Sequence, residues 1–373
     1  MRVLIATVTA GAGHLQAAAA LEEAWRALQP GDMVQKVDAL DYVPALQRKL
    51  YAEGYVKVVE RAPELYAHFF RKTDNPAFLR KFSRVRRAVA RGSNRKFVEF
   101  VRRFAPDVML CPHFLPLEIL GGMRAKTPGF KPLAVCVITD FEAHAFWMEP
   151  VVDLYCVAAE HTKARLVARG VAAERVLVTG IPVAAKFSAR VNAGAVRRPL
   201  GLRSDVPTLL VLGGGFGLGP VAEILAELDK VPDALQTVVV AGRNEKLRRE
   251  LAAQTRRHPA HVLGFVTNMH ELMAVADLIL TKPGGLSSSE ALAMGRPLFI
   301  LNPIPGQEAA NSDFLLEHGA ATKANRIEDV PYRLGQLLGT RKLRDMARAA
   351  KALGRPDAAR AICEAVSQRL QRP

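Results

Sequence analysis

The chain has 373 residues, with 52 Lys and Arg against 36 Asp and Glu for a formal net charge of +16, and half of its residues are apolar. That length accommodates two domains of ordinary size, and a charged fraction of 24% beside that apolar content excludes a disordered chain. No apolar run approaches the roughly 20 residues that a membrane-spanning helix needs. The excess charge therefore calls for an anionic partner of another kind: nucleic acid, an anionic membrane surface or a phosphorylated ligand.

The amino terminus predicts a strand at residues 3–8 and a helix at about 15–28, with no small-residue cleavage site behind them, so no secretory leader is expected. Between them stands Thr9-Ala10-Gly11-Ala12-Gly13-His14. Glycines in that place leave amide N–H groups at the positive end of the helix dipole, where oxygen-rich or anionic groups bind. An imidazole there is biased towards its neutral form and can act as a base near pH 7. The competing explanation of His14 is a histidine that caps the helix start.

Residues 71–103 hold twelve basic side chains and two acidic ones, so +10 of the net charge lies in one segment. Within it Phe78, Phe82, Val85 and Val89 recur at the spacing of one helix face, beside Arg84, Arg86 and Arg87. A basic amphipathic helix of this composition lies flat on an anionic membrane, with its cations among the headgroups. The same periodicity also describes a helix whose apolar face packs on its own domain under a solvated basic face. Charge alone leaves nucleic acid open, although no groove-binding motif is present.

Strands are expected next at residues 108–111, 133–138 and 154–157, separated by helical patterns, and that alternation predicts a parallel sheet covered by helices. Cys111, Cys136, Cys156 and Cys363 are scattered, and three sit in strand-like runs, which suits buried thiols in a reducing cytoplasm better than disulfides or zinc ligands. Residues 188–206, with arginines at 190, 197, 198 and 203, two glycines and a proline, read as a boundary between a first domain at 1–187 and a second at 188–373. The second series places strands at 208–212, 237–241, 262–263, 278–281 and 298–301. After the first of these comes Gly213-Gly214-Gly215-Phe216-Gly217-Leu218-Gly219-Pro220, a loop bare enough for close approach of a ligand. No Lys-Ser/Thr follows, so it is not a Walker loop, and the acidic residue of the dinucleotide fingerprint is missing.

The most informative stretch is Lys282-Pro283-Gly284-Gly285-Leu286-Ser287, then Glu290 and Gly295, a strand, and Asn302-Pro303-Ile304-Pro305-Gly306-Gln307-Glu308 with Asn311. Ser287-x-x-Glu290 fits a capping box and Gly295 a helix stop, so Glu290 has a purely structural explanation. The following loop has none. Asn302, Gln307, Glu308 and Asn311 gather hydrogen-bonding side chains at the carboxyl end of a parallel strand, where open α/β sheets bind ligands and where such groups can grip sugar hydroxyls.

The segments TAGAGH at 9–14, TDFEAHAFW at 139–147, VTGIPV at 178–183, LGGGFGLGP at 212–220, VVVAGRN at 238–244 and GFVTNM at 264–269 carry a resemblance that TKPGGLSSSEALAMGRP and NPIPGQEAAN sharpen. Over nearly its whole length the chain resembles glycosyltransferase family 28, and within it the monogalactosyldiacylglycerol synthases and bacterial processive diacylglycerol glucosyltransferases. The resemblance implies the α/β architecture called GT-B, two Rossmann-like domains with parallel sheets facing across a cleft. The UDP-sugar donor would sit mainly on the second domain, the lipid acceptor on the first, and the last helix would return to the first. Gly284 and Gly285 with the helix start would meet the diphosphate, Glu290 the ribose, Phe265 and Val266 the uracil, and Gln307 with Glu308 the hexose. Gly214, Gly215, Arg243, Lys282, Pro283, Leu286, Ser287 and Asn311 would line the same donor site, and Gly11 and Gly13 the acceptor side. His14 matches the histidine placed near the reacting centre, with Asp140 and His144 as the other candidate bases. Relatives commonly carry Arg where Ala184 stands; Lys186 is the nearest substitute, a point charge in place of a planar fork.

The implied reaction is inverting transfer of glucose or galactose from a UDP-hexose to diacylglycerol, giving a β-glycolipid and UDP. The enzyme would be cytoplasmic and peripherally attached to the inner face of the cell membrane. Neither cofactor nor metal is expected, since no Asp-x-Asp pair occurs. The alternatives are transfer of N-acetylglucosamine to a polyprenyl-linked peptidoglycan precursor, against which the PIPGQE loop counts, and a basic nucleic-acid-binding protein with a degenerate sugar site.

Overall fold

The computed structural model describes residues 1–9, 11–44, 48, 62–127, 129–213, 220–301 and 303–371, without the side chains of Pro63, Arg80, Ser83 and Arg84. Gly214, Gly215, Asn302 and the Arg84 side chain, all named above, lie outside the described residues. The first half runs β1 (Arg2–Thr7), α1 (Ala12–Leu28), β2 (Met33–Asp38), α2 (Pro63–Thr73), α3 (Pro76–Ser93), α4 (Arg95–Phe104), β3 (Val108–Cys111), α5 (Phe114–Arg124), β4 (Leu133–Val137), β5 (Leu154–Val157), α6 (Glu160–Ala168) and β6 (Val176–Val178). The second runs α7 (Ala193–Arg197), β7 (Thr208–Leu212), α8 (Val221–Leu228), β8 (Gln236–Val240), α9 (Glu245–Ala252), β9 (Ala260–Leu263), α10 (Met269–Val275), β10 (Leu278–Thr281), α11 (Gly285–Ala293), β11 (Leu298–Leu301), α12 (Gln307–Glu317), β12 (Ala321–Ala324), α13 (Val330–Gly335), α14 (Arg341–Leu353) and α15 (Ala358–Gln371).

Among the described residues the strands form two six-stranded parallel sheets, ordered β2-β1-β3-β4-β5-β6 and β12-β11-β10-β7-β8-β9. The central strands are apolar and buried along their length, as a sheet covered on both faces requires. Strand order reverses between β1 and β3 in the first sheet and between β7 and β10 in the second, and open α/β sheets bind ligands at such reversals. The turns after β1 and β10, which lead directly to His14 and Gly285 in the first turns of α1 and α11, stand at these two points.

Three strands escape the sequence patterns. β2 is a polar edge strand, β6 has three residues, and β12 reads Ala-Thr-Lys-Ala without an apolar run. Their pairing with a neighbouring strand, not their own hydrophobicity, makes them strands. The chain closes by leaving the second sheet: α15 packs on α1, burying Ile362, Cys363 and Val366 with Leu21 and Trp25. All four cysteines are buried and free.

The basic segment folds as α2, α3 and α4, with an orientation that corrects the reading of its arginines. Arg86 and Arg87 do not face outward. Arg86 pairs with Glu118 and Glu149 and lies over the ring of Phe146, while Arg87 pairs with Glu149 at 2.9 Å. Both carboxylates are almost fully buried, and an unpaired buried charge costs several kcal/mol, so the two guanidinium groups are drawn inward. α3 approaches α5 closely because Gly121 and Gly122 lie beneath it; a Cβ on Gly122 would stand 2.9 Å from the Arg87 carbonyl oxygen. Leu79 and Ala90 are buried on that side. The opposite side carries apolar residues in water: Phe82 is 49% exposed, Val85 63% and Val89 61%, joined by Leu65 (64%) and Phe69 (55%) on α2. Phe78 is half-buried against Phe82. Among the described side chains the solvent-facing cations on α2 and α3 are Arg71, Lys72 and Lys81, and α4 adds Arg95, Lys96, Arg102 and Arg103. No helix among the described residues is long and apolar enough to cross a membrane.

Candidate active site

At the carboxyl end of β2, beside that of β1, Asp38 accepts hydrogen bonds from the Thr9 amide and hydroxyl and from the Leu40 amide, which fixes the turn entering α1. Gly11 is the residue before α1, at φ +112, a conformation that glycine adopts without strain. His14 then falls in the first turn of α1, but it does not cap the helix. Its Nδ1 lies 2.8 Å from the carbonyl oxygen of Pro112 and 3.1 Å from Oγ1 of Thr139. A carbonyl only accepts, so Nδ1 carries the proton and Nε2 is left as the basic nitrogen. Burial pushes the imidazole down to about 4, and the Pro112 bond opposes that shift. The ring is neutral at physiological pH mainly because it is buried. His113 stands edge-on to it at 4.9 Å between centroids.

Opposite stands α11. Its first residue is Gly285, preceded by Gly284, so Ser287 is no cap and the capping-box explanation of Glu290 fails. A Cβ on Gly285 would overlap the carbonyl oxygen of Thr139 and lie 3.3 Å from Asp140 Cα, while one on Gly13 would touch Leu286 at 3.7 Å. Only a glycine lets the start of α11 reach the loop after β4. This contact joins Gly13, His14, Thr139 and Asp140 of the first sheet to Gly285 and Leu286 of the second. Glu290 has no hydrogen bond or ion pair among the described residues; burial pushes its carboxyl up to about 7, opposed by the charge of Lys186. Lys186 donates to the Thr267 carbonyl at 2.8 Å, next to Val266, so its charge serves this side of the cleft although Ala184 cannot.

Asp140 is pushed up to about 6 by burial, against a hydrogen bond from Asn311 Nδ2 at 3.0 Å. Asn311 corrects an expectation. It is fully buried: Nδ2 also donates to the Pro283 carbonyl, and Oδ1 accepts from the Phe141 amide. Its amide bridges the two sheets and orients Asp140, leaving nothing with which to hold a sugar. His144 is corrected too. Nδ1 accepts from the Phe146 amide and Nε2 donates to the Phe70 carbonyl at 3.0 Å, so neither nitrogen remains to act as a base.

Gln307 and Glu308 begin α12. Glu308 accepts from the Ile304 amide at 2.8 Å and its carboxyl is raised, first by burial, with Lys282 opposing and Asp140 adding to the shift. Gln307 accepts from the Tyr66 hydroxyl at 2.6 Å. At the far side of the second sheet Arg243 lies over the ring of the exposed Phe265, 5.3 Å from its centroid, so these two form one stacked pair beside the half-buried Val266. Sequence reasoning missed Thr139, which touches both His14 and Gly285, and Tyr66. Thr139 begins the TDFEAHAFW segment and was within reach; nothing around Tyr66 marks it.

Two family profiles divide the chain: that of monogalactosyldiacylglycerol (MGDG) synthase matches residues 14–183, and that of the glycosyltransferase family 28 C-terminal domain matches residues 208–362. A processive diacylglycerol beta-glucosyltransferase of Bacillus pumilus is 30% identical over 366 residues, 97% of this chain and 94% of that protein. Among solved structures, MurG of Acinetobacter baumannii is similar with a TM-score of 0.61 at 17% identity, over 99% of this chain and 100% of that one. HepE of Anabaena, in complex with UDP, gives 0.58 at 14% identity over the same shares. These two likenesses are of fold. With two six-stranded parallel sheets of a GT-B architecture and a relative 30% identical over 97% of the chain, the protein belongs to glycosyltransferase family 28, in the branch of the MGDG synthases and processive diacylglycerol glucosyltransferases.

Proposed function

We propose that the protein transfers a hexose from a UDP-sugar to diacylglycerol on an anionic membrane surface, with inversion at the anomeric carbon. The observation that carries this reading is His14: Nδ1 is committed to Pro112, Nε2 is basic, and the ring stands beside Thr139, against which the start of α11 packs. An acceptor hydroxyl attacks the anomeric carbon as the bond to the diphosphate oxygen breaks, and its proton passes to Nε2. General-base assistance of this kind contributes about 10²–10⁴-fold. The N-terminus of α11 offers fixed N–H donors for the charge that develops on the leaving diphosphate. Glu290, Phe265 and Val266 are assigned to the uridine side, and Gln307 and Glu308 to the hexose. Asp140 is the second candidate base.

The exposed stripe of Leu65, Phe69, Phe82, Val85 and Val89, with Arg71, Lys72 and Lys81 on the same helices, supports docking on a lipid surface better than on nucleic acid, which has no use for valines held in water. Transfer of N-acetylglucosamine to a polyprenyl-linked acceptor has only a fold likeness behind it. The test is incubation with UDP-glucose or UDP-galactose and diacylglycerol in phosphatidylglycerol vesicles, with product mass and anomeric stereochemistry read out. Absence of a β-glycolipid with either donor would sink the proposal.

A further inference from the structure

Helix α2 has two faces with different neighbours. On the inner face the Tyr66 hydroxyl meets Gln307, and the ring of Phe70 lies against Gly306, where a Cβ would stand 3.0 Å from it. Gly306 is the residue before α12, at φ +99, so both contacts fall on the turn that presents Gln307 and Glu308. On the outer face Leu65 and Phe69, the sequence neighbours of Tyr66 and Phe70, belong to the exposed apolar stripe. The carboxyl end of the helix is clamped: Asp74 pairs with Arg165 at 2.7 Å and Arg169 at 2.6 Å and accepts from the Ala145 amide, while His144 holds the Phe70 carbonyl. One short helix, anchored at one end, therefore carries a lipid-facing pair and a donor-side pair on the same backbone.

We propose that Tyr66 is a positioning residue for Gln307, and that through it α2 links seating on a lipid surface to the donor side of the cleft. This rests on the reading above, in which Gln307 meets the hexose and the stripe meets lipid. By donating to Oε1, the Tyr66 hydroxyl fixes which end of the carboxamide faces the cleft. Burial of Leu65 and Phe69 in the acyl boundary holds the helix in the position that keeps this contact. Loss of one such neutral hydrogen bond corresponds to a change of about 3–10-fold.

The experiment uses the full chain, a water-soluble short-chain diacylglycerol as acceptor, and phosphatidylglycerol vesicles that contain no diacylglycerol. In the native protein the vesicles lower the KM for the UDP-sugar. Tyr66→Phe keeps the ring and floats with vesicles as the native protein does, but its donor KM is about 3–10-fold higher and no longer responds to vesicles. In a Gln307→Ala background the same substitution has no further effect, a result that a merely structural tyrosine would not give. The proposal is overturned if Tyr66→Phe leaves the donor KM and its vesicle response unchanged, or if its effect persists at full size in Gln307→Ala. Should the native protein transfer no hexose to diacylglycerol, the reading of its function fails separately. The Tyr66 contact is then judged on UDP-sugar affinity measured by calorimetry with the same variants and vesicles.

Discussion

Gly285 decides how closely the two halves of the site approach. A Cβ there would overlap the Thr139 carbonyl oxygen and stand 3.0 Å from its carbon, so Gly285→Ala forces α11 away from the loop after β4 by about 1 Å. That loop carries Thr139 and Asp140 and flanks the His14 ring. A misplacement of about 1 Å at a reacting centre costs roughly 100-fold in rate. Transfer measured as kcat/KM should fall by about that factor, while UDP affinity by calorimetry changes less than about threefold, because Glu290 and the helix start move as one piece and the added Cβ touches neither Phe265 nor Val266, which follow β9. Gly284→Ala serves as the control for the backbone: its added Cβ meets nothing within 4 Å and its φ is −65°, so the thermal midpoint of the ligand-free protein stays where it is. Retention of transfer within about threefold would refute the reasoning, as the active state would then not need this contact. A loss of UDP affinity parallel to the loss of turnover would refute it differently, by showing that the substitution withdraws the helix start from the diphosphate instead of only separating it from the loop after β4.

Three further outcomes are expected. The active form of His14 is neutral and its ring is held down at about 4, so the acid limb of kcat/KM lies near pH 4, and at pH 6 about 99% of the ring is already competent. A limb centred near 6 that moves to higher pH in Asn311→Leu, where Asp140 loses the bond that favours its charged form, would reassign the base to Asp140. His144→Ala should lower stability by about 1–3 kcal/mol in thermal melts, through the orphaned Phe70 carbonyl and Phe146 amide, and leave the pH profile in place; a shifted profile would return His144 to the chemistry. Phe82→Asp with Val85→Asp should reduce flotation on phosphatidylglycerol vesicles by at least about tenfold, whereas Arg87→Gln removes one of the two guanidinium partners of the buried Glu149, leaving only Arg86, and lowers the thermal midpoint instead. Unchanged flotation of the double variant would remove α3 from the docking surface.

What the sequence determined by itself was local or repeated. Alternating apolar runs and helical patterns were enough for two parallel sheets, because a buried central strand such as Val108–Cys111 must be apolar along its whole length. The glycine turns with His14, and the Gly284–Gly285 and Gly306–Gln307 turns, were visible because a chain that tightens at the end of a strand needs these residues at these positions. The polar edge strand at Met33–Asp38 was not visible, since its conformation comes from its partner. Tertiary structure alone decided which way side chains turn when their partners are far along the chain. The arginines at 86 and 87 match a solvated or lipid-facing stripe by periodicity, yet two carboxylates, at 118 and 149, draw them inward and leave the apolar side of α3 in water. Asn311 has the chemistry of a sugar ligand, but its amide is used up between Phe141, Asp140 and Pro283. The proton on His14 is placed by a carbonyl 98 residues away. In each case the residue type sets what the group can do, and desolvation, which makes a buried charge or donor costly unless it finds a partner, sets what it does.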